Sequence, residues 1–194
     1  MIKWISNVIP DWLIKNRTIH SEDKALYAYA VYSLVFGMLP ITLAVVYGAI
    51  MNMITNSVVM IVPFMFIRKF SGGFHLKSPK TCFLASSGII VVSLILIRLV
   101  IRIKNLGPVS TAVAVSTVII VLFSPIDSCE RKLSKTEIKV FGTIARLLTT
   151  LFAVVYFLLV SRKNVQVAAS IGIGITIPAL LQIPCILKNR LATI

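Results

Sequence analysis

No charged side chain interrupts residues 25–67, which read ALYAYAVYSLVFGMLPITLAVVYGAIMNMITNSVVMIVPFMFI. These 43 residues are too many for one membrane crossing, which takes about 20 apolar residues as a helix, and they suit two crossings. The only polar cluster inside the stretch, Asn52-Met-Ile-Thr-Asn-Ser57, is expected to hold the turn between them. The stretch therefore predicts two consecutive transmembrane helices.

Four further apolar runs follow along the chain. They cover residues 81–97 (or 81–103), 106–123, 140–160 and 165–187. The chain is 58% hydrophobic, whereas soluble domains are about 45–50% apolar, and its mean hydropathy is +0.96. We expect an all-α integral membrane protein in which residues 1–194 form a single polytopic domain with about six transmembrane helices, the second and fourth being short. Four crossings with re-entrant segments are the alternative.

Residues 1–20 precede the first apolar run and are expected to form an amphipathic helix. Its apolar side chains recur about every four residues, as on one helix face, in the stripe Trp4, Ile5, Val8, Ile9, Trp12 and Leu13. Tryptophans beside basic residues are typical of a helix that lies in the headgroup layer of a membrane. A plain cytoplasmic lead-in is the alternative, and the segment lacks the long apolar region of a signal peptide.

The charged residues indicate orientation rather than nucleic-acid binding. Twenty Lys and Arg against six Asp and Glu give a formal net charge of +14. The basic residues gather in the short gaps between apolar runs, and no gap offers the extended basic, aromatic-interleaved surface that nucleic acids need. With six crossings, fourteen basic residues fall on one side and five on the other. The positive-inside rule then predicts that both termini and the gap at residues 68–80 are cytoplasmic.

The gap between the second and third apolar runs gathers reactive side chains. It reads Arg68-Lys-Phe-Ser-Gly-Gly-Phe-His-Leu-Lys-Ser-Pro-Lys-Thr-Cys82. A cysteine nucleophile needs a base within hydrogen-bond reach, and histidine is a common one. Ser78-Pro79 is typical of a helix start, which places Cys82 in the first turn of the third transmembrane helix. The positive end of that helix, together with Lys77 and Lys80, would favour the thiolate.

His75 precedes Cys82 by seven residues, a distance of about 10 Å along a straight helix. The two side chains can meet only where the backbone folds back, and Gly72-Gly73 permits such a fold. His75 would then accept the thiol proton and return it to the leaving amine. Backbone N–H groups near Cys82, assisted by Arg68, would stabilise the oxyanion. On spacing alone, a pair without catalytic function remains an open interpretation.

The other two cysteines, Cys129 and Cys185, are interpreted as chemically inert. Cys129 falls in a polar loop, and Cys185 falls in an apolar helix, where a cysteine usually acts as a small hydrophobic residue. Three widely separated cysteines do not form a disulfide framework. No further Cys, His or carboxylate lies near His75 and Cys82 in the sequence, so we expect no metal site and no cofactor.

The stretch that carries Arg68, Gly73, His75 and Cys82 resembles the accessory gene regulator B (AgrB) family, membrane endopeptidases of bacterial quorum sensing. The family pattern has a basic residue, a Gly two positions before His and a Cys seven positions after it, and these four residues match it one by one. A second stretch, Ser124-Pro-Ile-Asp127 followed by basic residues, is similar to the family's small-Pro-x-Asp loop. Chain length, the amphipathic start and the number of apolar runs agree as well, so the resemblance covers most of the chain.

This resemblance implies a cysteine endopeptidase embedded in the bacterial cell membrane. Its substrate would be an autoinducer propeptide whose amphipathic N-terminus rests on membrane lipids and whose C-terminal tail is acidic. Cys82 would form a thioester with the peptide and release the tail, after which an internal thiol or hydroxyl would close a thiolactone or lactone. The family members are understood to work as homodimers. A small polytopic membrane transporter is the alternative function, although the apolar runs carry almost no polar side chains to bind a cargo.

Overall fold

The computed structural model describes residues 2–16, 18–72, 79–126 and 134–191. The described backbone is helical apart from short connections, which confirms the all-α prediction. Seven α-helices lie within these ranges: α1 (Ile2–Lys15), α2 (Lys24–Ile50), α3 (Ile54–Ser71), α4 (Pro79–Ile103), α5 (Gly107–Phe123), α6 (Lys135–Ser161) and α7 (Val165–Leu191). A short 3-10 helix, Ser21–Asp23, precedes α2.

Five of these helices, α2, α3, α4, α6 and α7, are long and apolar enough to cross a membrane. Large apolar side chains such as Leu96 on α4 and Leu151 on α6 are exposed, as expected for helices surrounded by lipid. The multi-pass membrane architecture is therefore confirmed. The two short segments are α3, with 18 residues, and α5, with 17, so a sixth full crossing through α5 stays a prediction.

The polar cluster Asn52–Ser57 holds the turn only with its first two residues. Asn52, with a positive φ of 54°, and Met53 lie in the connection between α2 and α3. Asn56 and Ser57 are buried in the first turn of α3. Nδ2 of Asn56 donates to Oγ of Ser170 at 3.0 Å, and the hydroxyl of Ser57 donates to a carbonyl of α2. Because partners on other helices satisfy these polar groups, the groups need no water and the helix can include them.

The helix α6 begins before its apolar run because its start is capped. Oγ of Ser134 accepts a hydrogen bond from the backbone N–H of Glu137 at 3.2 Å. The carboxylate of Glu137 accepts one from the backbone N–H of Ser134 at 2.9 Å. This capping box satisfies two N–H groups that a helix start leaves free, so the helix extends from Lys135 rather than from Val140.

One compact unit, Met1–Leu43, holds α1 and the first part of α2. The amphipathic segment expected over residues 1–20 is helical through α1. Val8, Ile9 and Trp12 are exposed on it, Trp12 by 62% of its surface. Exposed apolar side chains on a short N-terminal helix agree with an interfacial position, which stays a prediction.

A second unit, Ala44–Ile194, is built around α7, the most buried of the membrane-length helices. Each of α3, α4, α5 and α6 packs against it. Small residues permit this close packing, since a Cβ on Gly174 would lie 2.4 Å from the carbonyl oxygen of Met60 on α3. One buried apolar cluster of this unit contains Ile67, Val109, Val113, Ile120, Ala153, Tyr156, Ala168, Ile171, Ile175 and Ala179. That all 194 residues form one domain stays a prediction.

Hydrogen bonds at both ends show that α3 and α7 run in the same direction. Near their beginnings, Asn56 bonds to Ser170 at 3.0 Å. Near their ends, Nε2 of Gln182 donates to the carbonyl oxygen of Ser71 at 3.1 Å. The polar contacts of this helix pair therefore lie in two layers with an apolar middle between them.

The remaining helices of this unit alternate in direction. The guanidinium of Arg98, near the end of α4, donates to the carbonyl of Met51 just before α3. Oγ of Ser110, at the start of α5, lies 2.8 Å from the hydroxyl oxygen of Tyr156, near the end of α6. The end of α3 thus shares one end of the unit with the start of α4, the end of α5 and the start of α6. The basic connections α3–α4 and α5–α6 therefore lie at the same end of the unit, as the Lys/Arg count assumed. The cytoplasmic orientation of this end stays a prediction.

The orientation can be tested with exposed positions at the two ends, in a variant without native cysteines. Asn105→Cys and Asn164→Cys, which lie at exposed turns, should react with a membrane-impermeant thiol reagent on intact cells. Thr136→Cys, exposed at the start of α6, should react only after the cells are permeabilised. The expected contrast follows from the Lys/Arg bias. Reaction of Thr136→Cys on intact cells would reverse the proposed orientation.

Candidate active site

The end of α3 meets the segment after α5 through direct backbone contacts. The N–H of Ile126 donates to the carbonyl oxygen of Ser71 at 3.1 Å, and Gly72 and Ile126 form an isolated parallel β-bridge. Gly72 has φ 72° and ψ −158°, a conformation that is essentially open only to glycine. A Cβ on Gly72 would lie 2.2 Å from the carbonyl oxygen of Ile126. Both its conformation and this close approach therefore require a glycine at this position.

Gln182 of α7 ties the same two segments together from the interior. Its side chain is fully buried. Nε2 donates to the carbonyl oxygen of Ser71 at 3.1 Å and to Oγ of Ser124 at 2.9 Å. The structure therefore brings the first residues of the two motifs noted in the sequence, the Arg68 stretch and the Ser124 stretch, to one place. We call this meeting point of Ser71, Gly72, Ser124, Ile126 and Gln182 the junction.

Arg68 lies one turn before the end of α3 and is half-buried. Its Nη1 donates to the carbonyl oxygen of Gly72 at 2.5 Å, which gives this carbonyl at the end of α3 a donor. The guanidinium also lies within electrostatic reach of two thiols, those of Cys82 and Cys185. A positive charge near a thiol favours its thiolate form.

Cys82 lies at the end of the first turn of α4, where the sequence placed it. The described part of α4 begins at Pro79, and the predicted N-cap, Ser78, lies outside the described residues. The thiol is free and half-buried. It lies at the positive end of the α4 dipole and within electrostatic reach of Arg68. Such a thiol is suited to act as a nucleophile.

Several residues expected at this site lie outside the described part of the chain. Among the predicted site residues these are Gly73, His75 and Lys77, and Ser78, Asp127 and Cys129 lie outside it as well. The backbone of Lys80 belongs to α4, whereas its side chain is outside the description. The pairing of His75 with Cys82 therefore stays a prediction.

Two residues of α7 belong to this region although no role there was predicted for them from the sequence. Cys185 is buried, as expected for a small hydrophobic residue, yet Arg68 acts on it electrostatically. Gln182 precedes it by three residues and so lies on the same face of α7. A polar side chain inside a transmembrane run is a candidate functional residue by default, and this signal would have identified Gln182.

A metal-binding cluster is not part of the described site. Within residues 2–16, 18–72, 79–126 and 134–191, no group of three or more His, Cys, Asp or Glu could hold a metal ion. The chemistry that the described atoms can supply is that of a half-buried thiol beside a guanidinium at the positive end of a helix. This arrangement suits nucleophilic attack by sulfur on an acyl group.

One comparison with known proteins gave a match. The family model described as accessory gene regulator B matches residues 6–185, nearly the whole chain. Neither the curated proteins nor the solved structures gave a match. The matched range contains the junction, Arg68, Cys82 and Cys185.

The close contact at the junction predicts a large effect of Gly72→Ala. A methyl group would collide with the carbonyl of Ile126 and would force a strained backbone conformation, so the free energy of unfolding should fall by about 2 kcal/mol or more. Gly88→Ala is the matched control, because a Cβ there meets no atom within 4 Å. It should leave stability unchanged or raise it by up to about 1 kcal/mol. Equal thermal unfolding midpoints for the two variants in detergent would contradict the close contact.

Proposed function

Because the chain belongs to the accessory gene regulator B family, we propose that it is a membrane cysteine endopeptidase that processes an autoinducer propeptide. Family membership supports a role in quorum-sensing peptide processing. One observation supports the further proposal that a thiol is the nucleophile. Cys82 is a free, half-buried thiol at the positive end of α4, within electrostatic reach of Arg68.

The first half of the reaction transfers the peptide to the enzyme. His75 accepts the proton of the Cys82 thiol, and the sulfur attacks the carbonyl carbon of a peptide bond before the C-terminal tail. Backbone N–H groups at the start of α4 stabilise the oxyanion, assisted by the positive charge of Arg68. His75 then gives its proton to the leaving amine. The C–N bond breaks, the tail departs, and a thioester joins the peptide to Cys82.

The second half of the reaction closes a ring. An internal thiol or hydroxyl of the peptide attacks the thioester carbonyl, forming a thiolactone or lactone and returning Cys82 as a thiol. A thioester keeps the acyl group activated, so this exchange needs no other energy source. Water competes for the same carbonyl, and a partly buried thiol restricts its access.

Charge and the membrane explain how the substrate would be held. A propeptide with an amphipathic N-terminus lies on the lipid surface, where the exposed apolar side chains of α1 would also lie. Its acidic tail would be attracted by the basic gaps that contain Arg68, Lys77 and Lys80. This arrangement requires the junction end of the molecule to face the cytoplasm. The enzyme is proposed to work as a homodimer, in keeping with its family.

Cysteine replacement tests the nucleophile directly. Cys82→Ala, co-expressed with the propeptide, should release no tail in mass spectra, because no other group can form the thioester. Its abundance in the membrane should be unchanged, since loss of one half-buried sulfur costs little stability. Cys185→Ala and Cys129→Ala are the matched controls and should keep activity. Normal tail release by Cys82→Ala would remove this thiol from the mechanism.

The role of His75 requires two measurements. His75→Ala should lower kcat for tail release by at least about 100-fold, the smaller end of the usual effect of a general base. The alkylation rate of Cys82 by iodoacetamide, measured against pH, reports separately whether His75 activates the resting thiol. An identical alkylation profile in wild type and His75→Ala would mean that it does not. Unchanged kcat in the same variant would exclude His75 from proton transfer altogether.

A further inference from the structure

Gln182 has one hydrogen-bonding atom for which the described part of the chain offers no partner. Its Nε2 makes two hydrogen bonds at the junction, to Ser71 and to Ser124. Its Oε1 is buried and accepts none. Buried polar atoms are nearly always paired, because an unpaired one has lost its water without compensation.

Exchanging the oxygen and nitrogen of the Gln182 side-chain amide would not supply the missing hydrogen bond. The carbonyl oxygen of Ser71 can only accept a hydrogen bond, so the nitrogen of Gln182 must face it and the oxygen must face away. Ser87, on α4, has the other buried side-chain atom left without a partner in the described residues. A serine hydroxyl within a helix can rotate to donate to the carbonyl one turn earlier. Oε1 of Gln182 has no such choice and needs a donor from elsewhere.

The position of this oxygen places it within the candidate active site. Gln182 contacts both segments of the junction and shares a face of α7 with Cys185. Cys185 in turn lies near Arg68, whose charge also acts on the proposed nucleophile, Cys82. The unpaired oxygen of Gln182 is thus a dehydrated acceptor that faces away from Ser71, in the region where Arg68 acts on Cys82.

We propose that Oε1 of Gln182 binds the substrate peptide by accepting a hydrogen bond from one of its backbone N–H groups. This inference rests on the proposed peptidase function and adds a substrate-binding residue to it. An extended peptide presents a neutral N–H at each residue, whereas the acidic side chains of a tail would offer this oxygen only further acceptors. Gln182 thus has two tasks: its nitrogen positions the junction, and its oxygen selects the register of the peptide.

The test removes single N–H groups from the substrate and measures at which position the effect of the loss depends on Gln182. Propeptides are prepared with one backbone amide at a time replaced by an ester, on both sides of the cleaved bond but not at that bond. We expect one ester position to lower kcat/KM of the wild-type enzyme by about 3- to 10-fold, the worth of one hydrogen bond. The same ester should have no further effect on Gln182→Leu.

Control variants separate substrate binding from a purely structural role. Gln166→Leu makes the same substitution near the other end of α7, where the amide bonds to Asn56, and should keep the wild-type sensitivity to the ester. Ser124→Ala removes one bond of the Gln182 nitrogen but leaves the oxygen in place, so it should also keep that sensitivity. Gln182→Met, which has a similar side-chain length, repeats the test if Gln182→Leu is not monodisperse in detergent.

Binding distinguishes a failure of this inference from a failure of the proposed function. The Kd of the same propeptides is measured for the Cys82→Ala protein with and without Gln182→Leu, and the ester effect should again disappear in the double variant. An all-amide propeptide that the wild type does not cleave would reject the peptidase function, while the Kd values would still report on Gln182. Two outcomes would overturn the inference and leave Gln182 a structural residue. In one, no ester changes kcat/KM of the wild type. In the other, the ester effect has the same size with Gln182 and with Gln182→Leu.

Discussion

Gly72 and Ile126 approach so closely that only a hydrogen atom fits between the Cα of one and the carbonyl of the other. This contact holds the end of α3 against the segment that follows α5, and the other polar contacts of the site are arranged around it. Arg68 donates to the Gly72 carbonyl, and Gln182 donates to Ser71 and Ser124. Ser71 and Ser124 are buried, so their polar groups need partners from neighbouring segments.

The same requirement explains the other end of the α3–α7 pair. Asn56 bonds to Ser170, and the amide of Gln166 donates back to Asn56 at 3.2 Å. Ser170 and Gln182 are separated by roughly 18 Å along α7, the rise of twelve helical residues. Apolar packing fills the distance between them. α7 thus connects two polar layers, and a substitution in one layer can be compared with a matched substitution in the other.

Among the described residues of the site, Arg68 supplies the positive charge that acts on the thiols. Arg68 donates to a carbonyl and acts on the thiols of Cys82 and Cys185. An arginine retains its charge at all physiological pH values, so this positive charge is present whatever the state of the base. Cys82 is half-buried and Cys185 is buried, so Cys82 is the more accessible of these two thiols. Position on α4, rather than the mere presence of sulfur, therefore distinguishes the two cysteines.

The sequence by itself determined the fold class of the protein. Residues 25–67, without charge and twice the length of a crossing, required two helices, while the grouping of Arg68, His75 and Cys82 supports the proposed reactive gap. The helical state of Pro79 was also predictable, because the preference of proline for a first helical turn is local. The burial of Asn56 was not predictable from the sequence. Whether this polar group lies in a turn or inside a helix depends on a partner over one hundred residues away.

Only the tertiary structure decided what meets at the junction. Gln182 is 58 residues from Ser124 and 111 from Ser71, and apolar periodicity gives the face and length of a helix but not its neighbours. The resemblance pointed to the Arg68 stretch and the Ser124 stretch separately, whereas their contact required the packing of α3 and α5 on α7. For the same reason, Cys185 was interpreted from the sequence only as a small hydrophobic residue of an apolar helix. Long-range contacts follow from how whole helices pack, and that information is not contained in any short stretch of sequence.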